Sequence, residues 1–245
     1  MTAPTASATV AAALVWFAAT TAAASRAGAA EPAAAGAKAP AAQGVRYLYL
    51  IRHGHYDRVD SLDERTANGL SRRGHAQAKR IGKRLTSLPV KPRLFVSSDL
   101  LRAVETAAEI GAILGRTATV DTLIAECASP SSRPGFDAEH DAAELAACQS
   151  AMEAAWAKYA VPSPAADAHD ILVCHGNVIR WFTSRAVGND TRNWTSYDIG
   201  HASLTVIAVR PDGGTRLVIY SDVGHLPVSQ QTWAGRGAGW GPAAK

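Results

Sequence analysis

The strongest constraint on the fold of this chain is a predominantly apolar segment at positions 45–51. Its length and its β-branched and aromatic residues predict a buried strand. Arg52, His53 and Gly54 follow directly, so the predicted strand ends in a cation, an imidazole and a residue with unusual backbone freedom. A guanidinium beside an imidazole at the edge of a sheet suits a phosphate group. A single histidine at a strand end is more often structural, so this motif alone does not identify a site.

Strands and helices are predicted to alternate along the rest of the chain. The first helix begins near Ser71, whose hydroxyl suits an N-cap, and the second begins at Asp99. The other predicted elements are strands at 94–96, 118–120 and 171–173, helices at 99–114, 137–159 and 177–187, and a hairpin of 204–209 with 216–220. This order predicts a three-layer α/β sandwich with a mostly parallel central sheet flanked by helices. Ligands of such folds bind beyond the carboxyl ends of the strands, where His53 and His175 are expected.

Three more motifs follow in chain order. Residues 97–107 are Ser-Ser-Asp-Leu-Leu-Arg-Ala-Val-Glu-Thr-Ala, Glu126 follows the apolar residues 123–125, and residues 174–180 are Cys-His-Gly-Asn-Val-Ile-Arg. Together with the strand-end Arg-His pair, these motifs resemble those of the histidine phosphatase superfamily, which has the phosphoglycerate-mutase-like fold. The resemblance covers residues 45–232 and is greatest to the mitochondrial phosphoglycerate-mutase-like Ser/Thr protein phosphatases.

The resemblance implies an enzyme, a phosphatase that hydrolyses phosphate monoesters through a phosphohistidine intermediate. His53 matches the family's nucleophile. Arg52 and Arg102 match residues whose planar, permanently charged guanidinium groups grip the phosphoryl oxygens. His175 matches a second histidine, which in its protonated form stabilises charge on the transferred group. Glu126 matches the donor of a proton to the leaving oxygen, which then takes a proton from the attacking water.

Two further residues are candidates for phosphate binding. Asn177 lies at the start of a predicted helix, where free backbone N–H groups favour an anion. The family often has a phosphate ligand a few residues after the histidine, and Tyr56, Asp57 and Arg58 compete for that role, with Arg58 as the candidate. The resemblance requires no metal and no cofactor. The expected partner is a phosphomonoester substrate, either a small molecule or a phosphoprotein.

Two rival chemistries are disfavoured by the residues around the motifs. Cys174 and Arg180 have the Cys-x5-Arg spacing of cysteine-based phosphatases, but the residues between them do not form a glycine-rich phosphate cradle. Val173 also stands where that family has a histidine. His53 and His55 could begin a metal site, yet no Cys, His or Asp cluster at ligand spacing completes it.

The segment after Glu126 bears on the type of reaction. Mutases of this family follow the glutamate with an Arg-His-Tyr-Gly-like segment that holds a second phosphate and a carboxylate, whereas Cys-Ala-Ser-Pro follows here. Hydrolysis is therefore preferred over phosphotransfer of the mutase type. The most similar branch indicates phosphoserine and phosphothreonine in proteins as substrates. Scavenging of sugar or organic phosphates, and an inactive binding or scaffold protein with the same fold, remain alternatives.

The N-terminal residues differ from the rest of the chain. Residues 1–25 carry no charged side chain and have an apolar centre, and Ala27-Gly28-Ala29 resembles a signal-peptide cleavage site. The first nine residues lack the Lys or Arg typical of such a leader, so a membrane anchor and a disordered cytosolic extension remain alternatives. An exported protein, periplasmic or secreted, or one anchored to a membrane is expected. The predicted organisation is a signal peptide or anchor at 1–29, a linker at 30–44, a histidine phosphatase domain at 45–232 and a flexible tail at 233–245.

The net charge bears on the possible binding partners, and the cysteine content bears on the cellular compartment. A net charge of +4 without a run of Lys and Arg argues against nucleic acid as a partner. Cys127 and Cys148 could pair in an oxidising compartment, but their spacing leaves the pairing open. Cys174 lies in an apolar strand, where a free thiol behaves as a small hydrophobic side chain. The sequence leaves the oligomeric state open.

Overall fold

The computed structural model describes residues 43–88 and 91–233. Strands and helices alternate through these residues, as predicted. The strands are β1 (Arg46–Arg52), β2 (Leu94–Ser97), β3 (Thr119–Val120), β4 (Ala168–Cys174), β5 (Leu204–Val209) and β6 (Thr215–Asp222). The helices are α1 (Arg72–Thr86), α2 (Leu101–Leu114), α3 (Ala142–Tyr159) and α4 (Gly176–Ala186). Short 3₁₀ segments lie at Thr122–Ile124, Asp137–Glu139, Thr191–Ser196 and Val228–Gln230.

The strands form one sheet in the order β3-β2-β4-β1-β5-β6. The first four strands of that order are mutually parallel, whereas β5 and β6 are antiparallel to their neighbours and form the predicted hairpin. The central strands β4 and β1 lie side by side, so the chain segments that leave their carboxyl ends start close together. This arrangement confirms the predicted mostly parallel sheet.

Helices cover both faces of the sheet. Successive residues of a strand point to opposite faces, and Leu48 and Leu50 of β1 pack with α3 and α4 in one core cluster. Tyr49 and Ile51 pack with α1 and α2 in the other cluster. A strand that is covered on both faces has to be mostly apolar, which explains the apolar residues 47–51 of the sequence. The predicted three-layer α/β sandwich is confirmed.

Two predicted helix starts are wrong by a few residues. The Asp99 carboxylate forms an ion pair with Arg65 at 2.6 Å and does not cap α2, which begins two residues later. Asp137 lies in a separate 3₁₀ segment, and α3 begins after Asp141, whose carboxylate accepts two backbone N–H bonds of the first turn. Ser71 caps α1 as predicted.

Cys127 and Cys148 form a disulfide that joins the segment after the first 3₁₀ turn to α3, with their Cα atoms 5.7 Å apart. Cys174 is free and fully buried in β4. The structure thus gives the pairing that the spacing of the cysteines left open.

The predicted signal peptide or anchor, nearly all of the predicted linker and the tail beyond Trp233 lie outside the described residues. Between residues 43 and 233, where the structure describes the chain, no helix has the length and apolarity that crossing a membrane requires. Gly44 and Trp233, at the two ends of that part, form isolated bridges to Ser163 and Gly200.

Candidate active site

The predicted site residues converge at the carboxyl ends of β1, β2 and β4. Arg52 lies opposite Cys174 in the register of the parallel strands β1 and β4. The backbone N–H of His53 donates to the Cys174 carbonyl at 2.9 Å, and the rings of His53 and His175 have centroids 5.1 Å apart. Ser98, just after β2, donates its backbone N–H to β4 at 2.9 Å. Three motifs that are far apart in sequence therefore meet at one edge of the sheet.

His53 is held as a neutral imidazole with one nitrogen available. Its Nδ1 lies 2.8 Å from the carbonyl oxygen of Gly54, which only accepts hydrogen bonds, so we assign the ring proton to Nδ1. Its Nε2 then carries the lone pair and accepts from Nε of Arg102 at 3.3 Å. Burial, helped by electrostatic coupling to His175 and by the charge of Arg52, lowers the pKa of His53 well below its usual value. His53 therefore presents an unprotonated, nucleophilic Nε2.

Gly54 is required by close packing. A Cβ atom at Gly54 would lie 2.6 Å from the carbonyl oxygen of Gly74 in α1, and a Cβ atom at Gly74 would lie 2.0 Å from the carbonyl oxygen of His55. Gly54 is not among the residues with positive φ. The expectation that this glycine supplies unusual backbone freedom was therefore wrong, and its role is to let the His53 loop pack directly on α1.

Two buried guanidinium groups flank His53. Arg52 donates through Nη1 to the carbonyl of Ile199 at 2.7 Å, and burial lowers its pKa to about 10, so it stays charged at neutral pH. Arg102 forms an ion pair with Glu64, and its guanidinium lies 4.6 Å from the centre of the Tyr56 ring. The structure therefore brings both predicted phosphate-binding arginines to the predicted nucleophile.

His175 was expected to act in its protonated form, and that role stays a prediction. It is fully buried, and burial together with the charges of Arg102 and Arg52 lowers its pKa well below the usual value, so the protein favours the neutral ring. Its Nε2 lies 2.8 Å from Oγ of Ser98, and that oxygen accepts the backbone N–H of Leu100 at 3.2 Å. We assign the Ser98 hydroxyl proton to the bond with Nε2, which leaves the ring proton on Nδ1. Nδ1 has no partner within the described residues, so neutral His175 still offers a donor.

Glu126 lies in the loop after the first 3₁₀ turn, on the wall of the same cleft. Desolvation raises the pKa of its carboxyl group, and the positive charges of Arg52 and Arg102 oppose that shift. Oε1 of Glu126 accepts the backbone N–H of Asn177 at 3.1 Å, and the Asn177 side chain donates to the carbonyl of Cys127 at 3.0 Å. Asn177 thus holds the Glu126 loop, and the backbone N–H that was expected to bind an anion is already used.

Arg58 lies in the polar loop after His53 with a side chain that is 63% exposed. Its guanidinium is 2.7 Å from the Asp60 carboxylate and 3.9 Å from Glu64. The structure puts Arg58 on the wall of the same cleft, and its role as a phosphate ligand stays a prediction.

The site residues surround a cavity of about 890 Å³ with an excess of positive charge on its wall. The charged residues of that wall are Arg52, Arg58, Arg65, Arg102, Arg133 and Arg180, with Glu64, Glu126 and Asp198. Arg180 has no carboxylate within 4 Å in the described part of the chain, and its one side-chain hydrogen bond there is to Asn177 at 3.4 Å. A cavity of this kind concentrates anions.

Cys174 takes no part in this cavity. Its side chain is buried in the core, and burial raises the pKa of its thiol, so it is not a thiolate nucleophile. The Cys-x5-Arg spacing is therefore coincidental. Within residues 43–88 and 91–233, no group of three or more His, Cys, Asp or Glu side chains is placed to hold a metal ion.

Known proteins have sequences that are similar to this chain. The sequence pattern of the Histidine phosphatase superfamily (branch 1) matches residues 48–163. The mitochondrial Serine/threonine-protein phosphatase Pgam5 of Drosophila persimilis is 34% identical over 198 residues, which are 77% of this chain and 67% of that protein. The chain belongs to the histidine phosphatase superfamily. It is a phosphatase that hydrolyses phosphate monoesters, and the most similar branch is that of the Pgam5 Ser/Thr phosphatases.

Solved structures of the superfamily share the fold. Phosphoglycerate mutase from Plasmodium falciparum is 23% identical, with a TM-score of 0.53 over 76% of this chain and 96% of that protein. The alpha-ribazole phosphatase from Shigella flexneri is 20% identical, with a TM-score of 0.56 over 72% of this chain and 96% of that protein. At these identities the likeness shows the fold alone, and it confirms the phosphoglycerate-mutase-like architecture.

The structure adds three residues to the site that the sequence did not assign. Ser98 orients His175 and lies inside the motif that contains Arg102, so its position after β2 was a usable signal. Glu64 pairs with Arg102, but it comes from a polar loop without a recognisable pattern. Arg180 was considered only as part of the rejected cysteine motif, although it lies one helical turn after Asn177.

Proposed function

We propose that the chain hydrolyses phosphate monoesters in two transfers through His53. In the first transfer, Nε2 of His53 attacks phosphorus and the bond to the leaving oxygen breaks, while Glu126 gives that oxygen a proton. In the second, water attacks the phosphohistidine, the ionised Glu126 takes a proton from the water, and phosphate leaves. Arg52, Arg102 and His175 hold the phosphoryl oxygens in both steps.

The single observation that carries this proposal is the hydrogen bonding of His53. The Nδ1–H bond to the Gly54 carbonyl fixes both the tautomer and the ring orientation, and the remaining nitrogen faces the Arg102 guanidinium. An imidazole held in this way forms a bond to phosphorus without first losing a proton. The Arg102 guanidinium, which would neutralise charge on the transferred phosphoryl group, already lies beside Nε2 of His53.

Unpartnered donors give further support. Nε of Arg52 and Nδ1 of His175 are buried without a hydrogen-bond partner in the described residues. Leaving a buried polar group without a partner costs about 1–3 kcal/mol. A phosphoryl group, with several acceptor oxygens, would satisfy both donors and offset that cost. This arrangement favours a tetrahedral oxyanion over a neutral ligand.

We infer that phosphoserine and phosphothreonine in proteins are the substrates. The names of the Pgam5 relatives support this inference, and a cavity of about 890 Å³ is at the large end of the range for small-molecule sites. The segment after Glu126 lacks the residues that mutases use for a second phosphate and a carboxylate, which disfavours mutase activity. An inactive scaffold is disfavoured because His53, Arg52, Arg102 and Glu126 meet in one cleft.

A substrate panel tests both inferences. Purified protein is assayed with p-nitrophenyl phosphate, phosphoserine and phosphothreonine peptides, and sugar phosphates, with the His53→Ala variant as the control. We expect turnover of p-nitrophenyl phosphate that the His53→Ala variant lacks, and higher kcat/KM for the phosphopeptides than for the sugar phosphates. A preference for sugar phosphates would contradict the substrate inference, and no turnover of any ester would favour the inactive scaffold.

We also propose that residues 1–29 take the chain into or across a membrane. Their lack of charge and their apolar centre support this proposal. The Cys127–Cys148 disulfide also supports it, because such bonds persist mainly outside a reducing cytosol. N-terminal sequencing of protein from its native host tests whether the leader is cleaved near Ala30. An intact leader on membrane-bound protein would indicate an anchor, and an intact leader on cytosolic protein would refute the proposal.

A further inference from the structure

The disulfide of the chain lies next to the proposed proton donor. Cys127 follows Glu126 directly, and its partner Cys148 lies on α3, 21 residues further along the chain. In the proposed reaction, Glu126 has to reach the leaving oxygen within the cleft that it shares with His53. A covalent bond at the adjacent residue restricts where that carboxyl group can lie.

Few hydrogen bonds hold the backbone around Glu126, although Cys127 and Ala128 pack against the core. Ile124, before it, is fully buried, and after it the indole N–H of Trp194 lies 3.2 Å from the carbonyl of Ser129. Between these two anchors the chain has no helix or strand. Its hydrogen bonds to other elements, within the described residues, are the two that Asn177 makes. The disulfide is the covalent attachment of this turn, so breaking it should affect Glu126 more than the rest of the site.

The disulfide is also within reach of a small thiol reagent. Cys127 is partly exposed and lies on the wall of the active-site cavity. Cys127 and Cys148 also line a second cavity of about 490 Å³ between the Glu126 turn and α3. Cys174, in contrast, is fully buried in the core. Thiol–disulfide exchange in the folded protein is therefore directed to one pair of sulfur atoms.

We propose that the Cys127–Cys148 disulfide is a redox-sensitive latch that holds Glu126 at the leaving group, and that a dithiol opens it and selectively weakens proton donation. A thiolate of the dithiol attacks Sγ of Cys127, and Cys148 leaves as a thiolate and takes a proton. The second sulfur of the dithiol then displaces Cys127, which is protonated in turn, and the dithiol departs as a disulfide. His53, Arg52 and Arg102 belong to other elements of the fold and keep their positions.

The latch rests on the proposed function, because it acts through Glu126 as the proton donor. Its consequence depends on the ester. A phosphoserine peptide releases a basic alkoxide that needs the proton, whereas p-nitrophenyl phosphate releases a stable phenolate that needs it much less. Opening the latch should therefore change the ratio of kcat/KM for the two esters. A bond that merely supports the fold would lower both values together.

The test compares the oxidised full-length chain with the same protein after treatment with dithiothreitol. Thiol titration after denaturation should give one thiol before treatment and three after it, because Cys174 is free. We expect reduction to lower kcat/KM for the phosphoserine peptide by about tenfold or more. The kcat/KM for p-nitrophenyl phosphate should change by less than about twofold. The Cys174→Ser variant is the matched control and should respond as the wild type does. A Cys127→Ser/Cys148→Ser variant should show the reduced ratio without any dithiol.

Three results would overturn the latch. They are a disulfide that stays closed in excess dithiothreitol, kcat/KM values for both esters that do not change after full reduction, and kcat/KM values that fall by the same factor for both esters. The Glu126→Gln variant of the oxidised protein separates this proposal from the one on which it rests. If that variant shows no selective loss for the phosphoserine peptide, the proton-donor role fails. If it does show the loss and reduction leaves the ratio unchanged, the latch alone fails.

Discussion

Replacing Glu126 with glutamine removes the proposed proton donor with little change of shape. The amide keeps an oxygen that can accept the Asn177 N–H, which Oε1 of Glu126 accepts at 3.1 Å in the structure. The loop should therefore stay in position, and the guanidinium groups of Arg52 and Arg102 should be undisturbed. What the variant loses is the ionisable proton, so its effect should depend on how much the leaving oxygen needs that proton.

The expected magnitude follows from the position of Glu126 in the cleft. General acid catalysis contributes about 10²–10⁴-fold, which corresponds to about 3–5 kcal/mol of barrier at 1.36 kcal/mol for each factor of ten. The full effect is expected for phosphoserine, which leaves as an alkoxide. Desolvation raises the pKa of Glu126, so the acid form persists to higher pH than for an exposed glutamate. For the wild type, kcat/KM on phosphoserine should fall as pH rises through that raised pKa, and the Gln variant should lack this fall.

The assay measures kcat/KM for a phosphoserine peptide and for p-nitrophenyl phosphate across a range of pH. Glu144→Gln is a matched control, because this glutamate lies on α3 beside the second cavity and not in the active-site cavity. Arg102→Ala is the contrasting variant. It removes a phosphate ligand, so it should lower both kcat/KM values by a similar factor, about 10²–10³.

Equal losses for both esters in Glu126→Gln would refute the reasoning. Glu126 would then not be the leaving-group acid, and Glu64 and Asp198, the other carboxylates on the wall of the active-site cavity, would be the next to test. If kcat/KM on phosphoserine still falls with rising pH in the Glu126→Gln variant, the same conclusion follows, because another group would then supply the proton.

Three smaller predictions follow from burial and charge. Cys174→Ser should keep most of the activity, since the Cys174 thiol is buried in the core with a raised pKa, and complete loss in a folded variant would revive a cysteine mechanism. Arg58→Ala should lower kcat/KM by less than Arg102→Ala does, because the Arg58 side chain is 63% exposed and already pairs with Asp60, whereas a loss as large as that of Arg102→Ala would make Arg58 a phosphate ligand. Asp170→Ala should lower the free energy of unfolding in urea by about 3–5 kcal/mol, because Asp170 is fully buried and pairs with Arg46 at 2.7 Å; a loss below about 1 kcal/mol would contradict this.

The sequence was sufficient for the parts of the fold that depend on periodicity. The apolar segment that forms β1 is buried on both faces, so its pattern predicted the strand and its central position. Ser71 and Gly115 predicted the start of α1 and the end of α2, because both act through local geometry. Asp99 and Asp137 were misjudged. Each was taken as a helix start from local preference alone, and the Asp99 carboxylate instead pairs with Arg65, a residue 34 positions earlier.

The sequence predicted which residues form the candidate site better than it predicted their protonation states. His53, His175 and the start of α2, which carries Arg102, meet because they follow neighbouring parallel strands that end at the same edge. The lowered pKa of His175 could not be read from the sequence, since it results from burial and from the charges of two arginines brought together by the fold. The same is true of Asn177, whose N–H is used by a carboxylate 51 residues away.

Trapping a phosphoenzyme tests the central claim, the role of His53, most directly. The protein is mixed with a phosphate-labelled substrate, quenched within milliseconds in alkali, digested and mapped by mass spectrometry. We predict label on His53 that is stable to alkali and lost in acid, and a folded His53→Ala variant with neither label nor turnover. Turnover retained by His53→Ala, or label on another residue while His53 stays unmodified, would contradict the account.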